Sequence, residues 1–121
     1  MTSRTMLWSL IVLIASVISA GAEEPQVDLS KGEAVYKAHC VRCHGTQGKG
    51  DGPDAATLIV PPADFHQPAS RAKSEMDLRS AIIWGLAFSP KHGWWDKIPV
   101  EDVRAVTAYI RRLAPYEPSR P

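Results

Sequence analysis

Residues 32–45 read Gly32-Glu33-Ala34-Val35-Tyr36-Lys37-Ala38-His39-Cys40-Val41-Arg42-Cys43-His44-Gly45. The stretch opens as a helix. Ser30-Lys31-Gly32-Glu33 has the form of a capping box, with Ser30 as N-cap and Glu33 returning to its backbone. Gly32, Val35, Tyr36 and His39-Cys40 then recur at spacings of three and four, which puts them on one helical face. Two cysteines follow one helical turn apart, and a histidine comes directly after the second.

That spacing is C-x-x-C-H, the attachment sequence of a c-type haem. Two thiols one turn apart can add to the two vinyl groups of one haem, and the adjacent imidazole can lie under the iron. The sequence therefore predicts one covalent haem c on Cys40 and Cys43, with His44 as the proximal iron ligand. Other readings of the cysteines lack their context. A thioredoxin-like redox pair wants a βαβ unit, and no strand precedes this motif. A zinc site needs a second pair of ligands, yet His66 and His92 stand far apart. A plain disulfide is the remaining alternative.

Outward from the motif, the chain has 121 residues, 45% hydrophobic and 22% charged, with 14 basic and 13 acidic side chains. That is one domain of ordinary composition, and a formal charge of +1 offers no electrostatic footprint for nucleic acid. Met6 to Ile18 carries no charged residue, Arg4 lies before it, and Ala20-Gly21-Ala22 supplies small residues at the two positions a signal peptidase reads. Residues 1–22 are expected to be a secretory signal peptide, too short in its apolar run to span a bilayer comfortably. The alternative is an uncleaved membrane anchor. Residues 23–121 would then form a single exported domain, formally neutral, in the periplasm.

Two further helices are legible, and no strand. Ser74-Glu75-Met76-Asp77 starts the first in capping-box style, Leu78, Ala81 and Ile82 continue it, and Gly85 is placed to end it. The last begins at Pro99, with Glu101 and Asp102 at the positive end of its dipole. Val103, Val106, Ile110 and Leu113 form its apolar stripe, and Pro115 stops it. Between the first and second helices, 44–73 reads as a long loop rich in proline and glycine, a length that in a compact domain implies a segment wrapped around a ligand. Gly45 to Gly50 has the interval of a phosphate loop, but Asp51 occupies the lysine position. Glycines here suit close passage of backbone past a flat ring.

These motifs in this order resemble the small monohaem class I c-type cytochromes of bacterial periplasms, from Leu29 to about Leu113. The residues that carry the likeness are Gly32, Tyr36, Cys40, Cys43, His44 and Gly45, the glycine-rich Gly45 to Pro53, Ile82 or Ile83 leading to Gly85, and Tyr109-Ile110-Arg111. The resemblance implies an all-α cytochrome c fold, three main helices with long loops around a covalent haem, and a crossing of the first and last helices near Gly32 and Tyr109. It also implies a proline carbonyl, that of Pro61 or Pro62, accepting the proximal imidazole's N–H and fixing its tautomer.

The likeness breaks at one place. Relatives carry a methionine as sixth iron ligand after the middle helix, whereas 85–99 here contain none. Aligning Trp95 with the family's aromatic places His92 where that methionine belongs, which makes His92 the expected distal ligand. The alternative is a surface histidine with an open sixth position. His66, His39 and Met76 are weaker candidates. The implied function is electron transfer with redox partner proteins in the periplasm or at the inner membrane, at a lower potential than in methionine-ligated relatives, and without enzymatic activity of its own. Two alternatives stand beside it: a haem c subunit of a larger oxidoreductase complex, with Trp84, Trp94 and Trp95 at an interface, and a haem protein with an open distal site.

Overall fold

In a computed structural model, residues 26–86 and 93–118 are described. Their regular elements are all helical: α1 (Leu29–His39), α2 (Val41–His44), α3 (Pro68–Arg71), α4 (Glu75–Trp84) and α5 (Val100–Leu113), with one 3₁₀ turn at Ala55–Thr57. Among the described residues no helix is long and apolar enough to cross a membrane. The segments expected to be a signal peptide lie outside the described residues.

Helix α1 begins two residues earlier than its sequence suggests. Asp28, not Ser30, is the N-cap, and its carboxylate accepts from the amides of Ser30 and Lys31 at 2.9 and 3.0 Å. An ionised carboxylate is a stronger acceptor than a hydroxyl for the orphan amides of a first turn. The Ser30 hydroxyl donates to the same oxygen at 2.6 Å. Glu33, released from the expected box, pairs with Lys37 one turn on at 2.7 Å.

Helices α1 and α5 cross in the most extensive helix contact of the molecule. The crossing is set by Gly32, where a Cβ would fall into the carbonyl oxygen of Ala105 and within 3.0 Å of the Tyr109 Cβ. The expected meeting of Gly32 with Tyr109 is thus present, and Ala105 completes it. Tyr36 lies beside Tyr109 with ring centroids 5.4 Å apart. Val103, Val106 and Ile110, three of the four predicted stripe residues of α5, are buried, and Leu113 packs partly buried against the core. Each fully buried aliphatic side chain contributes roughly 1.5–3 kcal/mol. Thr107 is also buried, with its hydroxyl donating to the Val103 carbonyl at 2.7 Å.

Helix α4 has the capping box predicted for it: the Asp77 amide donates to the Ser74 hydroxyl oxygen, and the Asp77 carboxylate accepts from the Ser74 amide. It ends at Gly85, whose φ of 77° lies in the left-handed region that glycine enters without steric penalty. The chain then returns to this same end. Trp94 and Trp95 donate their amides to the carbonyls of Ile82 and Ile83 at 3.0 and 3.1 Å, satisfying two acceptors the helix leaves open. Gly93 fits because a Cβ there would meet the Ile83 carbonyl.

The long loop is ordered by its own hydrogen bonds. The amides of Gly50, Gly52 and Asp54 donate back to the carbonyls of His44, Cys43 and Arg42. Arg42 grips Asp54 with two bonds, at 2.7 and 2.6 Å. At the far end Pro68 opens α3, where a missing N–H does no harm.

Candidate functional site

Helix α1 delivers Cys40, and the single turn α2 carries Cys43 and His44. Two backbone bonds hold this turn: the amides of Cys43 and His44 both reach the Cys40 carbonyl, at 3.2 and 2.9 Å. Gly45 ends it, and its carbonyl accepts the buried Tyr36 hydroxyl at 2.7 Å. Tyr36 therefore ties the motif to the helix crossing, and burial pushes its phenol well above the ordinary range. Both cysteines are free thiols. Burial, followed by the neighbouring Cys43, pushes the Cys40 thiol up to about 12. A thiol–disulfide catalyst needs the opposite shift, toward the thiolate.

The His44 ring stacks on buried Phe65, centroids 4.5 Å apart and planes 18° from parallel. Its Nδ1 lies 3.0 Å from the Ala63 carbonyl oxygen. A carbonyl only accepts, so Nδ1 carries the proton and Nε2 keeps a lone pair for a metal. Burial holds the imidazole below its usual basicity, with the Ala63 bond pulling the other way. The sequence placed this bond on Pro61 or Pro62, and the acceptor is instead the next residue. In extended chain successive carbonyls point to opposite sides. That of Pro62 faces Gly50, where a Cβ would come within 2.6 Å of it, and that of Ala63 faces His44. Gly50, at φ 74°, is what lets the loop pass so close.

Cys40, Cys43 and His44 line one cavity of about 340 Å³. Pro61 and Pro62 line it too, so both prolines wall the site although neither holds the imidazole. Leu58, Val60 and Phe65 extend that wall, and Leu78, Ala81, Ile82, Leu86, Trp94 and Ile110 add further apolar lining. Ala81 and Ile82, half exposed along the predicted face of α4, turn toward this space rather than toward a protein core. A flat apolar group with two vinyl positions and a central metal fits the arrangement: thiols at one edge, an imidazole held through Nδ1 on one face, mostly apolar walls around. Elsewhere among the described residues no group of three or more His, Cys, Asp or Glu is placed to hold a metal.

The other candidates for the sixth position separate clearly. Met76 is 71% exposed in the first turn of α4. His66 is exposed, with its Nε2 2.7 Å from the Gln47 carbonyl. His39 is exposed and stands by Trp94, ring centroids 5.2 Å apart, so the face predicted for it is occupied only as far as Cys40. None of the three lines the cavity. His92 lies outside the described residues. Residues the sequence did not assign to the site include Ala63, Ser70, Lys73 and Arg111. Alternation of carbonyls after the Pro61-Pro62 pair was the one available signal for Ala63. The remaining three converge only through tertiary packing.

Residues 29–114 match the cytochrome c family. Among solved structures, the chain is similar to part of the Kuenenia stuttgartiensis reducing HAO-like protein complex Kustc0457/Kustc0458, with TM-score 0.64 and 25% identity over 71% of this chain and 43% of that one. It therefore spans less than half the length of that relative. It also shares the fold of the KustC0563 c-type cytochrome, with TM-score 0.57 and 23% identity over 69% of this chain and 96% of that one. No curated protein sequence matches. Helical architecture, the C-x-x-C-H turn, the fixed imidazole and the family match converge: the chain belongs to the cytochrome c family, and its cofactor is a covalently bound haem c.

Proposed function

We propose that this protein is an exported electron carrier of the periplasm, with its haem on Cys40 and Cys43, His44 as proximal ligand and His92 as distal ligand. The observation that carries the reading is the His44 ring, held by Ala63 and Phe65 in the wall of the cavity that both thiols share. The haem, when bound, supplies one-electron exchange between ferric and ferrous iron. The chain's own residues anchor it, present an imidazole lone pair and keep water from its faces. A fixed Nδ1–H bond strengthens the ligand and stops the ring from rotating. His92 is favoured for the sixth position because Met76, His66 and His39 all lie off the cavity, while Gly93, the residue after His92, is buried against the end of α4 and Trp94 lines the cavity.

A second reading, a haem subunit of a larger oxidoreductase, is supported by two large exposed aromatics, Trp84 at 71% and Trp95 at 66%. Such residues are enriched at protein interfaces. The similar chain of the HAO-like complex points the same way, since its printed name is that of an assembly.

The test is His92→Ala in haem-loaded protein. Wild type is expected to be low-spin and insensitive to carbon monoxide, and the variant high-spin, with carbon monoxide binding when reduced. An unchanged low-spin spectrum in the variant moves the ligand elsewhere. A wild type that already binds carbon monoxide replaces the reading with an open distal site. Co-purification of a stoichiometric partner from the native periplasm decides for the subunit.

A further inference from the structure

The cavity wall is apolar except at one end. There Ser70, Lys73 and Arg111 meet, contributed by α3, the residue before the α4 cap, and the last turn of α5. Two of the three are cations, and no carboxylate lines the cavity. Arg111 donates to the Lys73 backbone carbonyl at 2.5 Å, and the Tyr116 ring lies 5.9 Å from its guanidinium carbon. Among the described residues neither cation has an acidic hydrogen-bond partner. Glu75 is paired with Arg79, and Asp77, which feels the charge of Lys73, is committed to the Ser74 cap. Burial lowers the basicity of the part-buried Arg111 guanidinium, and the Glu75 charge opposes this without a hydrogen bond to it.

The C-terminal segment encloses this end. Arg71 pairs with Glu117 at 2.7 Å and donates Nε to the Pro115 carbonyl at 3.1 Å, while the Glu117 amide returns a bond to the Arg71 carbonyl at 3.1 Å. The strap seats Tyr116 beside Arg111. Pro115 to Glu117 thus lie against the outer side of α3 and Arg111.

A haem carries two carboxylates on one edge, opposite the apolar vinyl edge that the thiols take. We propose that Lys73 and Arg111, helped by the Ser70 hydroxyl, bind the two haem propionates, and that their charge sets the reduction potential of the iron. A carboxylate whose charge is cancelled by an adjacent cation stabilises ferric iron less. Removing the cation therefore favours the oxidised form.

The experiment is a spectroelectrochemical titration of haem-loaded Lys73→Gln, Arg111→Gln and Arg111→Lys. Each glutamine variant is expected to shift the ferric–ferrous equilibrium about three- to tenfold toward ferric, a tenfold change being about 59 mV for one electron. Arg111→Lys keeps the charge and is expected to stay within about twofold of wild type. The propionate bending band in resonance Raman should move in both glutamine variants, which a purely structural role for Arg111 would not produce. The Lys73 ammonium makes no bond that the fold needs, so Lys73→Gln keeps the test valid if Arg111→Gln folds badly. Wild-type potentials in both glutamine variants, with an unmoved propionate band, overturn the proposal. The identity of the sixth ligand is read separately, from spin state, so failure there leaves this result interpretable.

Discussion

The two sides of the haem cavity are held by different kinds of contact. On the proximal side the attachment turn is fixed by near neighbours in the chain: Cys40 to His44, Gly45 to Tyr36, and the glycine loop back to Arg42, Cys43 and His44. The Ala63 bond, the Phe65 stack and the bonds of Phe65 and His66 to Gly48 and Gln47 reach farther. On the other side the wall is α4 together with a returning segment, Gly93 to Trp95, that is tied to the end of the helix by backbone bonds alone. Trp94 is pinned there by His39 on one ring contact and by the Lys97 ammonium, 5.6 Å from its centroid. A side built from local bonds around a rigid crossing should tolerate the loss of the other side. The reverse should not hold.

Two glycines test that asymmetry. Gly32→Ala drives a methyl group into the Ala105 carbonyl at the crossing of α1 and α5. Both partners are helix backbone, so the helices must part, with an expected loss of about 2 kcal/mol or more. For a domain of this size that is roughly a 10 °C fall in Tm, measured by calorimetry on haem-loaded protein. Gly93→Ala places a methyl against the Ile83 carbonyl, which disturbs only the returning segment. The expected loss is smaller, about 1 kcal/mol, but the visible spectrum should change because the wall beside Trp94 moves. If Gly93→Ala lowers Tm as far as Gly32→Ala does, the two sides are equally structural and the contrast fails.

The same contrast explains what the sequence made legible. Gly32, Tyr36, Cys40, Cys43 and His44 are close in the chain, and their periodicity carries their geometry directly. The stripe of α5 was readable for the same reason. Ala63 was missed by one position because the choice between adjacent carbonyls depends on where Gly50 lets the loop approach, a tertiary matter. Asp28 displaced Ser30 as cap because two acceptors competed for the same amides and the charged one won. Lys73 and Arg111 lie 38 positions apart, so no local pattern could join them. Trp84, Trp94 and Trp95 look alike in sequence, yet only Trp94 faces the cavity. The direction of each is decided by the backbone bonds at the end of α4.

The smallest expected effect concerns the caps, one on each side. Asp28 caps α1 and Asp77 caps α4, and both carboxyls are held below the ordinary value of 3.8 by the bonds they accept. For Asp28 the Ser30 hydroxyl acts first and the Lys31 amide second. For Asp77 the Ser74 hydroxyl acts first and the Ser74 amide second, with the Lys73 charge adding to them. A carboxyl that is more acidic folded than unfolded adds stability that is fully present above its unfolded value and is lost as pH falls through its folded value. Asp28→Asn retains an acceptor oxygen for the amides of Ser30 and Lys31 but removes the charge and the titration. Its Tm should fall slightly below wild type at pH 6, and the two should converge by about pH 2–3. Asp77→Asn should behave the same way at the other side. Because α1 belongs to the main helix crossing and α4 contacts α5 less extensively, acid should loosen the protein more through Asp28. Scanning Tm against pH for wild type and the two variants tests this: a larger acid-dependent difference for Asp77→Asn would place the weak point at the α4 side rather than at the crossing.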